Sequence, residues 1–191
     1  MYLFGLFFVT AGVVFLVILV LLILIFLVTF AYGAMSAAPW VPVLEKDVER
    51  LLKIAKLQPN DVIYDLGCGD ARILIQGAKK YGTSGVGYEI ALMPYLVAQA
   101  RISLAGLRGK VKVHWKSFWH EPIGSADVVY CYLMPRALVK LQNKFQTELN
   151  SNTRVVSYAF RLHWLTPTET ERPDLKQLPV YLYTKIVQSK S

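Results

Sequence analysis

The residues best placed to do chemistry lie in one short run, Val62-Ile63-Tyr64-Asp65-Leu66-Gly67-Cys68-Gly69-Asp70. Its apolar, β-branched start reads as a strand, and Ala71 to Tyr81 reads as the helix that follows. A Gly-x-Gly turn between them falls at the ligand-binding end of an open α/β sheet. Gly67 and Gly69 permit a backbone approach that a Cβ blocks. A second strand, Gly85 to Glu89, ends in a carboxylate 24 residues after Asp65. An acidic residue near that spacing accepts hydrogen bonds from both ribose hydroxyls of an adenosine ligand. The third glycine of a dinucleotide fingerprint is absent, its place being held by Arg72. The acidic turn also suits a cationic ligand better than a polyanion. Asp65, Gly67, Cys68, Gly69 and Glu89 are thus the expected adenosine-binding set. Cys68 reads as a small buried filler rather than a nucleophile. Replacing Glu89 with alanine is expected to cost the ligand and little of the fold.

The elements around this motif alternate. A helix is expected over Glu45 to Leu57, ended by Pro59-Asn60-Asp61, with Val48, Leu51, Leu52 and Ala55 at helical spacing. After the first two strands come a helix over Leu92 to Leu107, a strand over Val111 to Trp115 and a strand over Asp127 to Tyr132. A helix over Leu138 to Leu149 and a strand over Arg154 to Phe160 follow. Such alternation implies a Rossmann-like α/β domain with a parallel sheet covered on both faces. Pro179 to Val187 reads as a strand with no helix before it, an antiparallel C-terminal edge.

The first 44 residues belong to a different solvent. The chain has 191 residues, and no charged side chain precedes Glu45. Leu6 to Phe30 is 25 residues long, interrupted only by Thr10, Gly12 and Thr29. At about 1.5 Å per residue it crosses the roughly 30 Å hydrocarbon core of a bilayer with tilt to spare. It carries no basic n-region and is longer than a signal peptide's apolar stretch, which favours a retained anchor. The alternative is a cleaved signal peptide, for which the small residues Ala34 to Ala38 resemble a cleavage site. The expected organisation is a transmembrane anchor over 1–33, a linker over 34–44 and a catalytic domain over 45–191. Lys46, Arg50 and Lys53 are the first cations, and positive-inside bias puts their side in the cytoplasm or an organelle matrix. Lys and Arg number 21 against 13 Asp and Glu, a net charge of +8. Beside an anchor, that charge points to the lipid surface rather than to nucleic acid. Two cysteines and three histidines have no metal-ligand spacing, so neither a metal nor a disulfide is expected.

The Asp-x-Gly-x-Gly turn with its later Glu89 resembles motif I of class I methyltransferases, which implies S-adenosylmethionine as the cofactor. Pro39-Trp40-Val41-Pro42, the segment Ala126-Asp127-Val128-Val129-Tyr130-Cys131-Tyr132-Leu133-Met134-Pro135 and the pair His163-Trp164 carry the resemblance further. They are similar to the membrane-anchored protein-lysine methyltransferases that modify the mitochondrial ADP/ATP carrier and the ATP synthase c-subunit, and to their prokaryotic relatives. The likeness spans roughly residues 39 to 185. It implies methyl transfer to a lysine of a membrane protein, with Trp40 among the cofactor-binding residues. Such enzymes carry an acidic or amide residue after the third strand to receive the adenine amino group. This chain has Lys116-Ser117-Phe118-Trp119 instead. Ser117 through its hydroxyl and Phe118 through its amide are expected to serve adenine.

Tyr130, Tyr132 and Trp164, with Trp40, are candidates to line the methyl-transfer channel, where a lysine cation meets ring faces. Tyr130 and Tyr132 flank Cys131 and so share one face of their strand. Each is as readily core packing as site. His163 is read as a structural hydrogen-bonding residue rather than a general base. Three rival readings have discriminating features. A nucleic-acid base N-methyltransferase carries Asn or Asp followed by Pro-Pro-aromatic where this chain has Tyr130-Cys131-Tyr132-Leu133. A lipid or quinone methyltransferase is distinguished by where the methyl label ends up. A non-catalytic scaffold is distinguished by an absence of turnover.

Overall fold

The computed structural model describes residues 2–36, 41–184 and 186, with the side chains of the first helix described over 8–28. Helix α1, Tyr2–Ser36, contains a 21-residue stretch, Phe8–Val28, long and apolar enough to cross a membrane, none of it buried against the protein. Helix continues three residues beyond the expected anchor boundary because Gly33 to Ser36 contains no proline to stop it. Trp40 lies outside the described residues.

Helix α2, Glu45–Ile54, carries Glu45 and Asp47 in its first turn, where carboxylates meet the positive end of the helix dipole. It stops short of Leu57 because Lys56 turns left-handed, φ 51°. The domain then runs β1 Val62–Leu66, α3 Arg72–Tyr81, β2 Ser84–Glu89, α4 Leu92–Leu104, β3 Val111–Trp115 and a 3-10 turn Phe118–His120. It continues through β4 Val128–Cys131, α5 Pro135–Glu148, β5 Arg154–Tyr158, β6 Glu169–Glu171 and β7 Val180–Tyr183. The seven strands order as β3-β2-β1-β4-β5-β7-β6. The first five are parallel, and β7 pairs antiparallel with both β5 and β6. The expected parallel sheet with an antiparallel edge is therefore present. α5 begins three residues early because Pro135 sits in its first turn, where its fixed φ favours a helix start.

Two apolar layers cover the sheet. α2, α3 and α4 bury Leu51, Leu52, Leu74, Ala98 and Ile102 against Ile63, Val113, Val128 and Val156 on one face. On the other, α5 buries Leu138, Leu141 and Phe145 against Leu66, Val129 and Val155. The reversal of strand order lies between β1 and β4, so the crevice for a ligand opens at their carboxyl ends.

Candidate functional site

β1 delivers its chain into a tight loop. Gly67 (φ +90°) and Gly69 (φ +54°) both have positive φ, and so has Ala71 (φ 60°) at the start of α3. The Gly67 and Cys68 amides each donate to the carbonyl of Tyr88 at 3.0 Å, tying the loop to the end of β2. Gly87 makes room beneath it. A Cβ there would stand 2.6 Å from Cys68 Sγ and 2.9 Å from Leu74 Cδ1. Cys68 is buried, and that burial, with the charges of Asp65 and Glu89, pushes its thiol up, as expected of a filler.

Glu89 binds the loop more extensively than its sequence position implies. Its Oε2 accepts from the Gly69 amide at 2.9 Å, and its Oε1 accepts from the Ile90 and Ala91 amides at 2.8 Å each. Three of about four acceptor positions are occupied, leaving one on Oε2. Burial pushes this carboxyl up, while the amides of Ala91, Gly69 and Ile90 act in the opposite direction. Removing the carboxylate would orphan three amides, so the expectation that alanine at 89 spares the fold is corrected.

The Asp65 side chain is buried, and its carboxyl accepts no hydrogen bond among the described residues. Burial first, then the charges of Glu89 and Asp70, push it up to about 8. Asp70 differs. Burial raises it, but hydrogen bonds and charge from Arg72, with the charge of Arg101, outweigh burial and hold it below the ordinary range. Arg72 Nη2 reaches Asp70 at 2.7 Å, Arg101 pairs with the same oxygen, and Arg72 also donates to the Val43 carbonyl. Asp70 is thereby neutralised and ties the segment before α2 to the Gly loop. Asp65 and Glu89 are the two carboxylates here with no cation beside them, and Asp65, raised to about 8, is drawn into its ionised form by a positive ligand. A ligand carrying positive charge satisfies both, whereas a polyphosphate finds no free cation in the loop.

Beyond Glu89, Lys116 N donates to the Glu89 carbonyl at 3.1 Å and brings the next loop alongside. The Ser117 hydroxyl has no hydrogen bond among the described residues. Phe118 is buried and opens the 3-10 turn, where first-turn amides lack internal acceptors. Trp115 closes this end, its indole donating to the Ile90 carbonyl at 2.9 Å and stacking on Tyr95 at 6.2 Å. Ile90, Arg72, Arg101 and Asp70 were missed as site residues. Ile90 and Asp70 had a signal, each adjoining a motif residue; Arg101 had none.

The three channel candidates are not brought together. Tyr130 is buried in the α2 face and donates its hydroxyl to the Leu51 carbonyl at 2.8 Å, which makes it a core residue. Tyr132 packs on the same face, half-buried, edge-on to Tyr158 at 4.8 Å. Trp164 lies on the opposite face, edge-on to Phe145 of α5 at 6.3 Å, with its indole nitrogen buried and unpartnered among the described residues. His163 is exposed and has no hydrogen bond among the described residues, so the structural role expected of it is not seen. No group of three metal-ligating side chains occurs among the described residues.

A Gly-cradled crevice with two uncompensated carboxylates, at the switch point of a 3-2-1-4-5-7-6 sheet, defines a class I methyltransferase using S-adenosylmethionine. The chain belongs to the family described as the ANTKMT methyltransferase domain, whose family model matches residues 65–169. It is 37% identical over 148 residues to a protein-lysine N-methyltransferase of Saccharolobus islandicus (strain REY15A), covering 76% of this chain and 92% of that one. It is 32% identical over 129 residues to the human lysine N-methyltransferase named for the c-subunit of ATP synthase, covering 66% of this chain and 54% of that protein. The chain thus spans about half the length of the human relative. A Salinibacter ruber RNA methyltransferase, solved with S-adenosyl-L-homocysteine, superposes with a TM-score of 0.74 at 33% identity. That match covers 79% of this chain and 97% of the other.

Proposed function

We propose that this chain is a single-pass membrane protein that transfers methyl groups from S-adenosylmethionine to a lysine side chain of a second membrane protein. The reading divides it into an anchor over 1–33, a linker over 34–44 and a catalytic domain over 45–191 on the cytoplasmic or matrix side. One observation carries it: the uncharged span Phe8–Val28, unburied by the protein, precedes the methyltransferase domain with little chain between. The eight residues from 37 to 44 reach at most about 28 Å, so the crevice stays near the headgroup layer. The names of the human relative and of the family point to acceptors embedded in membranes.

In this reading the Gly67-Cys68-Gly69 loop cradles the cofactor, and the free acceptor position of Glu89 takes a ribose hydroxyl. Ser117 and Phe118 serve adenine, Asp65 faces the ammonium, and Trp40 contributes from the segment before α2. Bound S-adenosylmethionine supplies a methyl group on a sulfonium. The lysine nitrogen forms its bond to that carbon as the carbon–sulfur bond breaks, and the electron pair leaves with sulfur. An amine of pKa about 10.4 must first shed a proton to water, which burial and a neighbouring positive charge favour. The protein's part is alignment and exclusion of water. Tyr132 is the aromatic we assign to the lysine channel.

Full-length protein in liposomes with a co-reconstituted membrane protein and methyl-labelled cofactor tests the reading. Label on an interfacial lysine of the protein is expected; label in the lipid extract would replace it with headgroup or quinone methylation. An RNA acceptor has specific support in the Salinibacter relative's name and the charge of +8. Against it stands Tyr130-Cys131-Tyr132-Leu133 at the end of β4, which lacks the Asn/Asp-Pro-Pro-aromatic clamp for an exocyclic amine. Label recovered in added RNA and not in protein would favour it.

A further inference from the structure

The outward side of α4 is apolar along its whole length. Met93, Leu96, Ala100 and Leu104 recur at spacings of three and four and are all exposed, Leu96 at 49% and Leu104 at 89%. Its opposite side, with Ala98 and Ile102, already packs on the sheet, so this stripe is surplus to the core. Trp115, 52% exposed, adds an aromatic at the crevice end of the stripe. At the other end, the turn into β3 brings cations. Between Ile90 and Ser117 there is no Asp or Glu, while Arg101, Arg108, Lys110, Lys112 and Lys116 lie in the same stretch. Arg101 and Lys116 are paired with Asp70 and Glu121, and Lys112, between Val111 and Val113 in β3, faces the side of the sheet away from α4. Arg108 and Lys110 are exposed with no ion pair among the described residues. α1 touches α4 and still leaves the stripe open.

We infer that the outer face of α4 and the turn into β3 dock on the anionic lipid surface of the membrane that α1 enters. The inference rests on the membrane-anchored reading above and extends it from a tether to a fixed orientation. An apolar stripe beside unpaired cations and an exposed tryptophan has the make-up of a helix lying at a headgroup boundary. A protein partner would need acidic groups to meet these cations, whereas an anionic bilayer supplies both its charge and its apolar layer. Because Trp115 and Ile90 join this face to the mouth of the crevice, docking holds the mouth at headgroup level.

The test uses the full chain in vesicles of phosphatidylcholine and phosphatidylglycerol, with an environment-sensitive fluorophore on Leu104→Cys. The native Cys68 and Cys131 are both buried and escape labelling. Asn143→Cys, exposed on α5 across the sheet, is the control. The Leu104 label should blue-shift and be quenched by a lipid-borne quencher, and the Asn143 label should not. Each cation near an anionic surface contributes roughly fivefold to partitioning, so Arg108→Gln and Lys110→Gln together should cut docking by about twenty-five-fold. High salt should act likewise. Vesicles that float with the protein while both labels stay aqueous would overturn docking and leave the anchor standing. Quenching protection that appears only with a co-reconstituted protein would replace lipid with that partner. A chain that does not float with vesicles would overturn both the anchor and the docking.

Discussion

Asp65→Asn separates the needs of the cofactor from those of the fold. In the native chain the Asp65 carboxyl is buried without a hydrogen-bond donor among the described residues and is pushed up to about 8. An unfolded aspartate ionises near 4, so folding raises this pKa. The folded state then holds the proton through a range in which the unfolded state has lost it. Stability is unpenalised below about pH 4, declines as pH rises, and levels off above about 8. Four pH units at about 1.4 kcal/mol each set a ceiling of roughly 5–6 kcal/mol, and relaxation of the site reduces the realised penalty to a few. Asn cannot ionise and should remove that slope. For a domain of this size the variant should melt on the order of 10 °C higher at pH 8 and about level at pH 4, by thermal scans of the full chain in micelles. Its affinity for S-adenosylmethionine should fall by at least tenfold, because the ligand's cations lose their carboxylate. Wild-type affinity should rise with pH towards 8, with close to one proton released on binding at pH 7, measured by calorimetry in buffers of different ionisation enthalpy. An Asn variant that keeps the wild-type pH slope of stability, or binds cofactor equally well, would refute this account of the crevice.

Three further outcomes follow from the same geometry. Glu89→Ala should lose cofactor binding and also about 2–4 kcal/mol of stability, since the Gly69, Ile90 and Ala91 amides lose their acceptor; denaturant titration without cofactor checks it, and an unchanged midpoint would count against the amide network. Gly87→Ala should weaken cofactor binding from a distance, because its new Cβ would displace Cys68 and the loop around it, read by calorimetry alongside a melting scan. Tyr130→Phe should cost about 1 kcal/mol through the lost bond to the Leu51 carbonyl and leave methyl transfer near wild type, whereas Tyr132→Ala should reduce turnover more than cofactor affinity.

Features that repeat locally were legible, and features that depend on which distant element arrives were not. The strand–turn–helix at residues 62 to 81 announces itself because glycine, β-branched and helical patterns follow within twenty residues. β6 announced nothing, since Glu169-Thr170-Glu171 is a polar edge strand defined only by its pairing with β7. Alternation correctly put Tyr130 and Tyr132 on one face, yet nothing local says that α2 covers that face and takes the Tyr130 hydroxyl. Trp164 follows the end of the next strand, β5, but packs against Phe145 of α5, so nearness along the chain to a strand end misled there. The charge of the crevice shows the limit best. Three carboxylates within 25 residues look equivalent in the sequence, and which of them face a cofactor depends on how Asp70 is paired, by Arg72 two residues on and by Arg101 folding back from 31 residues away. What remains unneutralised, Asp65 and Glu89, is the part of the acidic motif left to meet a cation. That remaining charge follows from the pairing of Asp70, local through Arg72 and tertiary through Arg101.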